Sequence, residues 1–340
     1  MIRVLIVDDS ATARALISEI LNSAIDIEIV GTAPDAYVAR DMVVELKPDV
    51  ICLDVEMPKM DGLTFLKKLM QHFPIPTVMV SSLTKKGAAI TLDALDAGAI
   101  DFVQKPHSNI YEGIEEIQKE LIYKVRTAAR AQVVAKVPLE KYSGKVLLSE
   151  TTKKVIAIGA STGGTRAIQE LLMRMPRNSP GMIIVQHMPE SFTEPFATRL
   201  NELCELNVRE AKNGDLITIG EVLIAPGKYH MVLRQSGGQY KVQLGTGDPV
   251  SGHRPSVDVM FNSVAKTAGS NAIGIILTGM GADGAKGITN MYAAGAHTIA
   301  QDEKSCVVYG MPKEAVALGG IEQILPLNNI ANATVSLLEK

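Results

Sequence analysis

At 340 residues the chain is longer than most single cores, which predicts two domains. A hydrophobic fraction of 46% is ample for packed interiors, while a formal net charge of −3 leaves no basic field to attract nucleic acid. The longer apolar runs, 181–185 and 273–277, are too short to cross a bilayer, and Asp8 and Asp9 come too early for a signal peptide.

In chain order, apolar runs at 4–7, 28–30, 50–53, 77–80 and 100–103 read as buried strands. Periodic segments at 12–22, 35–46, 63–71 and 88–97 read as helices between them, with a last helix from near Ile110 past Tyr123. This alternation predicts an α/β domain over 1–125, a doubly wound (βα)5 parallel sheet of the flavodoxin-like kind. From about 126 to 150 basic residues outnumber acidic ones, and Pro138, Ser143 and Gly144 interrupt any period. That segment is expected to be a solvated tether, into which the preceding helix can run, with docking of its charge on an acidic partner as the alternative. A second α/β series fills 151–340, with strands at 155–158, 182–185, 222–225, 273–277 and 298–300. Runs 231–234 and 240–244, joined around Gly237-Gly238, predict a hairpin beside a mainly parallel sheet.

Asp8 and Asp9 follow the first strand and Asp54 follows the third. In the strand order 2-1-3-4-5 those strands are neighbours, so three carboxylates should converge at one sheet edge. Such a cluster repels itself unless a hard, oxygen-preferring cation such as Mg²⁺ offsets it. Lys105 should supply a fixed positive charge at the same edge and Ser81 a hydroxyl. A cation site, an exposed carboxylate, a lysine and a hydroxyl are the parts that phosphoryl transfer needs. The segment resembles the response-regulator receiver family, through Asp8-Asp9, Asp54 with Pro58 and Asp61-Gly62, Ser81 and Lys105-Pro106. The resemblance implies that Asp54 accepts phosphate from a histidine kinase, with Mg²⁺ held by Asp8, Asp9 and Asp54. It also makes Ser81 and Phe102 the switch positions.

In the second series, Gly159-Ala160-Ser161-Thr162-Gly163-Gly164 follows a buried strand and opens a helix over 165–173. Gly-x-Ser-x-Gly fits a nucleophile elbow, whose helix start can stabilise an oxyanion. A phosphate-binding turn would look much the same, and the loop alone leaves both open. His187 follows the strand 182–185, and Asp283 follows the strand 273–277 and a glycine-rich turn. A parallel sheet sends all three segments to its carboxyl edge. Ser161 can then be nucleophile, His187 general base and acid, and Asp283 the orienting carboxylate. His297 lies before its strand, hence at the other edge, whereas His230 and His253 sit on loops and could face substrate. Asp215, Asp248, Asp258 and Asp302 lack the strand-to-glycine-turn setting of Asp283.

These segments resemble the catalytic domain of the chemotaxis protein-glutamate methylesterase (CheB) family. The further carriers are Gln186-His187-Met188, Ala225-Pro226-Gly227, His253-Arg254-Pro255-Ser256-Val257-Asp258 and the 278–284 turn. The resemblance implies a Ser161–His187–Asp283 triad, with main-chain N–H groups near Thr162 and Met280 as oxyanion donors. It implies hydrolysis of glutamate methyl esters on chemoreceptors to glutamate and methanol, with deamidation of receptor glutamines, and no cofactor for the hydrolysis itself. The chemoreceptors are then the substrate and the chemotaxis histidine kinase the phosphodonor, with no nucleic acid and no membrane insertion. An unphosphorylated receiver is expected to cover the triad edge until Asp54 is phosphorylated. Other classes fit less well. A binding module would lack a triad member, a transcription factor would need a basic recognition helix, and a metabolite esterase would have no use for a receiver. Cys52, Cys204 and Cys306, odd in number and scattered, read as reduced structural thiols in a cytoplasmic protein.

Overall fold

Val4, Leu5, Ile6 and Val7 form an unbroken apolar run with no polar alternation, and all four are fully buried. Such a strand needs both faces covered, which is the situation of an inner strand in a parallel sheet. In the computed structural model, which describes residues 1–81, 84–105, 114–131 and 154–339, it is an inner strand. Pro106, His107, the expected helix start near Ile110, and Pro138, Ser143 and Gly144 of the tether lie outside the described residues. The chain divides into two compact units, Met1–Val137 and Pro138–Lys340.

The first unit runs β1 (Ile2–Val7), α1 (Ala11–Asn22), β2 (Ile27–Ala33), α2 (Ala36–Leu46), β3 (Val50–Asp54), α3 (Gly62–His72), β4 (Thr77–Ser81), α4 (Lys85–Ala97), β5 (Asp101–Gln104) and α5 (Ile114–Arg130). Its sheet has the order β2-β1-β3-β4-β5, parallel throughout, as the periodicity predicts. The helices begin where short polar side chains satisfy the first free N–H groups. Ser10, Asp35, Asp61 and Thr84 cap α1 to α4 in turn. Helix α5 continues to Arg130, past the expected domain limit at 125, because Leu121, Val125 and Ala128 keep a buried stripe going. Arg126 then anchors that extension with a two-pronged bond to Asp26, Nε to Oδ2 at 2.8 Å and Nη2 to Oδ1 at 2.5 Å.

The second unit runs β6 (Val155–Ala160), α6 (Gly164–Leu172), β7 (Met182–Gln186), α7 (Glu190–Leu203), β8 (Asn207–Glu210), β9 (Glu221–Ile224), β10 (His230–Ser236) and β11 (Gln239–Gly245). It ends with α8 (Val257–Thr267), β12 (Ala272–Ile276), α9 (Ala285–Ala293), β13 (His297–Gln301), α10 (Met311–Ala317), β14 (Gln323–Leu325) and α11 (Leu327–Leu338). The sheet order is β14-β13-β12-β6-β7-β9-β8, again all parallel, with β10 and β11 as a separate antiparallel hairpin. The hairpin packs on α8: the Leu233 N–H donates to Ser263 Oγ at 2.8 Å, and Thr267 Oγ1 donates to Leu233 O. Chain order reverses beside β6, which leads to β7 on one side and lies against the later β12 on the other. That is the topological switch point, where strand ends diverge and leave a crevice. Among the described residues no helix is long and apolar enough to cross a membrane.

Candidate functional site

At the carboxyl edge of the first sheet, Asp8, Asp9 and Asp54 each offer an oxygen within 4.8 Å of the others. Asp8 and Asp54 are buried and Asp9 is exposed. The Arg14 guanidinium donates to the carbonyls of Asp8 (2.7 Å) and Asp9 (3.1 Å), fixing the turn that presents the acidic pair. Lys105 Nζ lies 2.8 Å from Asp8 Oδ2 and donates to Asp54 Oδ2 at 2.9 Å. Burial pushes the Asp54 carboxyl up to about 6, and the neighbouring Asp8 adds to the rise against Lys105. Burial works against the Lys105 charge, but both carboxylates outweigh it and hold the ammonium above its ordinary value. Ser81 is fully buried, and its Oγ shares a 2.8 Å hydrogen bond with Thr91 Oγ1 of α4. Phe102 is buried too, with Lys124 Nζ 4.9 Å from its ring centroid. All the predicted receiver residues that are described therefore stand at or just behind one edge.

The second edge is built on β6, whose six residues are all buried. Register pairs Ala160 with Gln186 of β7 and Gly159 with Ile276 of β12, so Ser161, His187 and the 277–283 turn leave the sheet together. The Ser161 N–H donates to Thr278 O and the His187 N–H to Ala160 O, both at 3.1 Å. The glycine-rich turn comes close: a Cβ on Gly279 would stand 2.8 Å from the Ser161 Cβ. Ser161 and His187 thus leave the ends of neighbouring strands, which in a sheet lie about 4.8 Å apart.

His187 Nε2 is 2.8 Å from Asp283 Oδ2, which makes Nε2–H the donor and leaves Nδ1 as the acceptor. Nδ1 is buried and makes no hydrogen bond, to Ser161 Oγ or to any other atom. The Asp283 carboxylate is held by more than the histidine. It accepts from Ser256 Oγ (2.8 Å), Val257 N–H (2.7 Å) and Asp258 N–H (3.1 Å), the cap and first turn of α8. Burial raises the Asp283 carboxyl, but His187 and these donors outweigh it and hold it below its ordinary value. The His253 ring stacks on His187, with centroids 3.8 Å apart and planes 16° from parallel. Thr162 is buried at the foot of α6, and Met280 lies in the turn beside Ser161.

One reading needs correcting. His230 is not on an open loop: it starts β10, is buried, accepts from the Ser256 N–H at Nδ1 (3.2 Å) and reaches Asp248 O through Nε2 (2.9 Å). It supports the residue that supports Asp283. His297 stands at the opposite edge, as expected, paired with Glu322. Asp258 is buried near Asp283 but turns to α9, accepting from the Gly287 N–H at 2.7 Å. Asp215 pairs with Arg209, and Asp302 bonds Ser305. The reading of the chain missed Ser256 as a carboxylate clamp, although a serine before an apolar-periodic run is a helix-start signal.

Residues 156–334 match the family described as CheB methylesterase, and residues 4–132 match the response regulator receiver domain. The chain belongs to the CheB methylesterase family. It is 59% identical to a protein-glutamate methylesterase/protein-glutamine glutaminase of Sulfurimonas denitrificans, covering 100% of this chain and 99% of that protein. It is 54% identical to the protein of that name from Salmonella typhimurium, over 97% of this chain and 95% of the relative. The crystal structure of the Thermotoga maritima CheB methylesterase catalytic domain superposes with a TM-score of 0.53 at 38% identity. That match covers 54% of this chain and 98% of that one. The family supplies the class of chemistry, and the strand-end geometry supplies the groups that can perform it.

Proposed function

We propose that the chain is a phosphorylation-regulated protein-glutamate methylesterase that also deamidates glutamine, acting in the cytoplasm on chemoreceptors. The observation that carries this reading is the His187–Asp283 pair, clamped by α8 and one strand from Ser161. Ser161 Oγ attacks the side-chain acyl carbon of a glutamate methyl ester, and His187 Nδ1 takes the hydroxyl proton. The oxyanion is met by main-chain N–H groups at Thr162 and Met280, and Asp283 stabilises the imidazolium. His187 returns the proton to the departing methoxide, giving methanol and a glutamyl ester of Ser161. Water, deprotonated by His187, then releases glutamate. A glutamine follows the same path with ammonia as the leaving group.

In the receiver, Asp54 is the acceptor for a phosphoryl group from the chemotaxis histidine kinase, and Lys105 offsets its charge. The all-oxygen set of Asp8, Asp9 and Asp54 suits a hard cation, and Mg²⁺ held there would neutralise charge on the incoming phosphoryl group. Ser81 and Phe102 pass the change on. With Mg²⁺ and a small acyl phosphate, methanol release from methylated receptor membranes should rise severalfold. Asp54→Ala should lose that rise and keep the basal rate. A chain beginning near Val155 should be active without a phosphodonor; activity no greater than that of the unphosphorylated whole chain would contradict the regulatory reading.

Cation binding should depend on pH with a definite sign. Protonated Asp54 cannot serve a cation, and its carboxyl titrates at about 6 in the cation-free protein. Mg²⁺ affinity should therefore climb up to roughly tenfold per unit as pH rises towards 6, then level off above it. Calorimetric titration between pH 5 and 8 checks this, and a flat profile would remove Asp54 from the ligand set.

A further inference from the structure

Strand β7 reads Met182-Ile183-Ile184-Val185-Gln186, and all five residues are buried. Four are apolar, as a strand covered on both faces requires. The fifth is a carboxamide, 4% exposed, directly before His187. Its Nε2 donates to the Ser161 carbonyl at 2.9 Å and to the His187 carbonyl at 3.1 Å. Turning the amide over would set its oxygen against two carbonyls, so the NH₂ group must face them. The other end, Oε1, is buried and makes no hydrogen bond. It rests over Gly164, where a Cβ would come within 2.1 Å of it. A half-satisfied buried amide is a poor way to fill a strand, because the unpaired oxygen carries its desolvation cost. Packing does not account for Gln186.

Its two bonds do. The Ser161 carbonyl also accepts from the Gly164 N–H at 2.7 Å, so two donors fix its direction. In a trans peptide the carbonyl and the next N–H are coplanar and point oppositely. Holding the Ser161 carbonyl therefore also aims the Thr162 N–H. The second bond ties the same peptide to the backbone of His187.

We propose that Gln186 is a positioning residue for acyl transfer, fixing the Ser161–Thr162 peptide plane so that the Thr162 N–H meets the oxyanion, and locking that peptide to His187. The proposal rests on the reading of Ser161 as nucleophile and Thr162 as oxyanion donor. A misaimed oxyanion donor acts on the transition state and not on substrate binding. Losing one such donor lowers kcat roughly 10²- to 10³-fold in serine hydrolases. The test uses the full chain with methylated receptor membranes and compares Gln186→Leu and Gln186→Met with the parent and with Ser161→Ala. The readouts are kcat, KM, the thermal midpoint, and inhibition by a boronic acid that adds to Ser161 as a tetrahedral anion.

Both Gln186 variants should lose about 10²-fold in kcat with KM within about twofold, since only transition-state binding suffers. Boronate affinity should fall by the same factor as kcat/KM, which a general loosening of the fold would not produce. A kcat within threefold of the parent, undiminished boronate affinity, or collapse of both folds would each overturn the proposal. Collapse would mean that the amide serves the fold alone. If Ser161→Ala kept its turnover, the reading of the nucleophile would fail instead, so the two failures are separable.

Discussion

Replacing Ser161 or His187 by alanine should lower kcat for ester hydrolysis by about 10⁶-fold, and replacing both should cost no more than either alone. In the proposed mechanism the two side chains act as one device, because the hydroxyl is a weak nucleophile until the imidazole takes its proton. The register that pairs Ala160 with Gln186 puts them on adjacent strand ends, and Nδ1 is the ring nitrogen not committed to Asp283. Once the base is gone, the serine has nothing to contribute that the double variant lacks. Circular dichroism should stay close to the parent for both, and so should the thermal midpoint of Ser161→Ala, whereas His187→Ala also removes the ring that bonds Asp283 and stacks on His253 and should lower its midpoint. Single-turnover rates on a methylated receptor check the prediction. Additive losses in the double variant would mean that the two groups act separately.

Asp283→Asn should lower kcat about 10⁴-fold, as loss of the correct histidine tautomer does in serine proteases. Four donors converge on this carboxylate: His187 Nε2–H and Val257 N–H at Oδ2, Ser256 Oγ–H and Asp258 N–H at Oδ1. An asparagine amide must put its NH₂ on one side. Facing Oδ1's partners, it meets the Asp258 N–H head on. Facing Oδ2's partners, it meets the Val257 N–H and drives the histidine proton to Nδ1, where the base is needed. Either way a backbone donor is left unpaired, at a cost of about 1–3 kcal/mol in stability.

The same substitution should also change how stability depends on pH. Asp283 is held below its ordinary 3.8, so its contribution is fully present above that value and disappears as pH falls through the lower folded value. The stability gap between Asp283→Asn and the parent should be constant at neutral pH and shrink only in acid below 3.8. Unfolding curves at pH 7 and pH 3 distinguish this from a clamp that works through packing alone.

The two edges were legible in the chain because buried parallel strands announce themselves. The runs that end before Ser161, His187 and the 277–283 turn are nearly pure Ile, Val, Ala, Gly and Met. Once they are read as parallel, their carboxyl ends must share one rim. The same logic placed Asp8, Asp9, Asp54 and Lys105. Less visible were β8 and β14, of four and three residues, which close the two sides of the second sheet. Short edge strands with charged or exposed residues carry little periodicity, and only a neighbour's backbone defines them. The run of the last helix past 125 into the tether is carried by the buried stripe through Val125 and Ala128, beside which the basic residues from Arg126 give no clear stop.

The clamp on Asp283 was hidden for a different reason. Ser256, Val257 and Asp258 are 25 to 27 positions away, and nothing local in their sequence names a partner beyond their own helix. His230 was misjudged by the same route. Its expected loop position suggested a side chain open to substrate, but the hairpin folds it inward against Ser256. Residues whose roles are set by contacts between distant segments become visible only when those segments are packed.

Mass spectrometry of chemoreceptor peptides, taken before and after incubation with the full chain, reads the chemistry at its site. Each methylated glutamate should lose one CH₂ and each processed glutamine should become glutamate, with neither change in the Ser161→Ala variant. Methyl esters that stay intact with the parent chain, Mg²⁺ and phosphodonor all present, or that vanish equally with Ser161→Ala, would contradict the account.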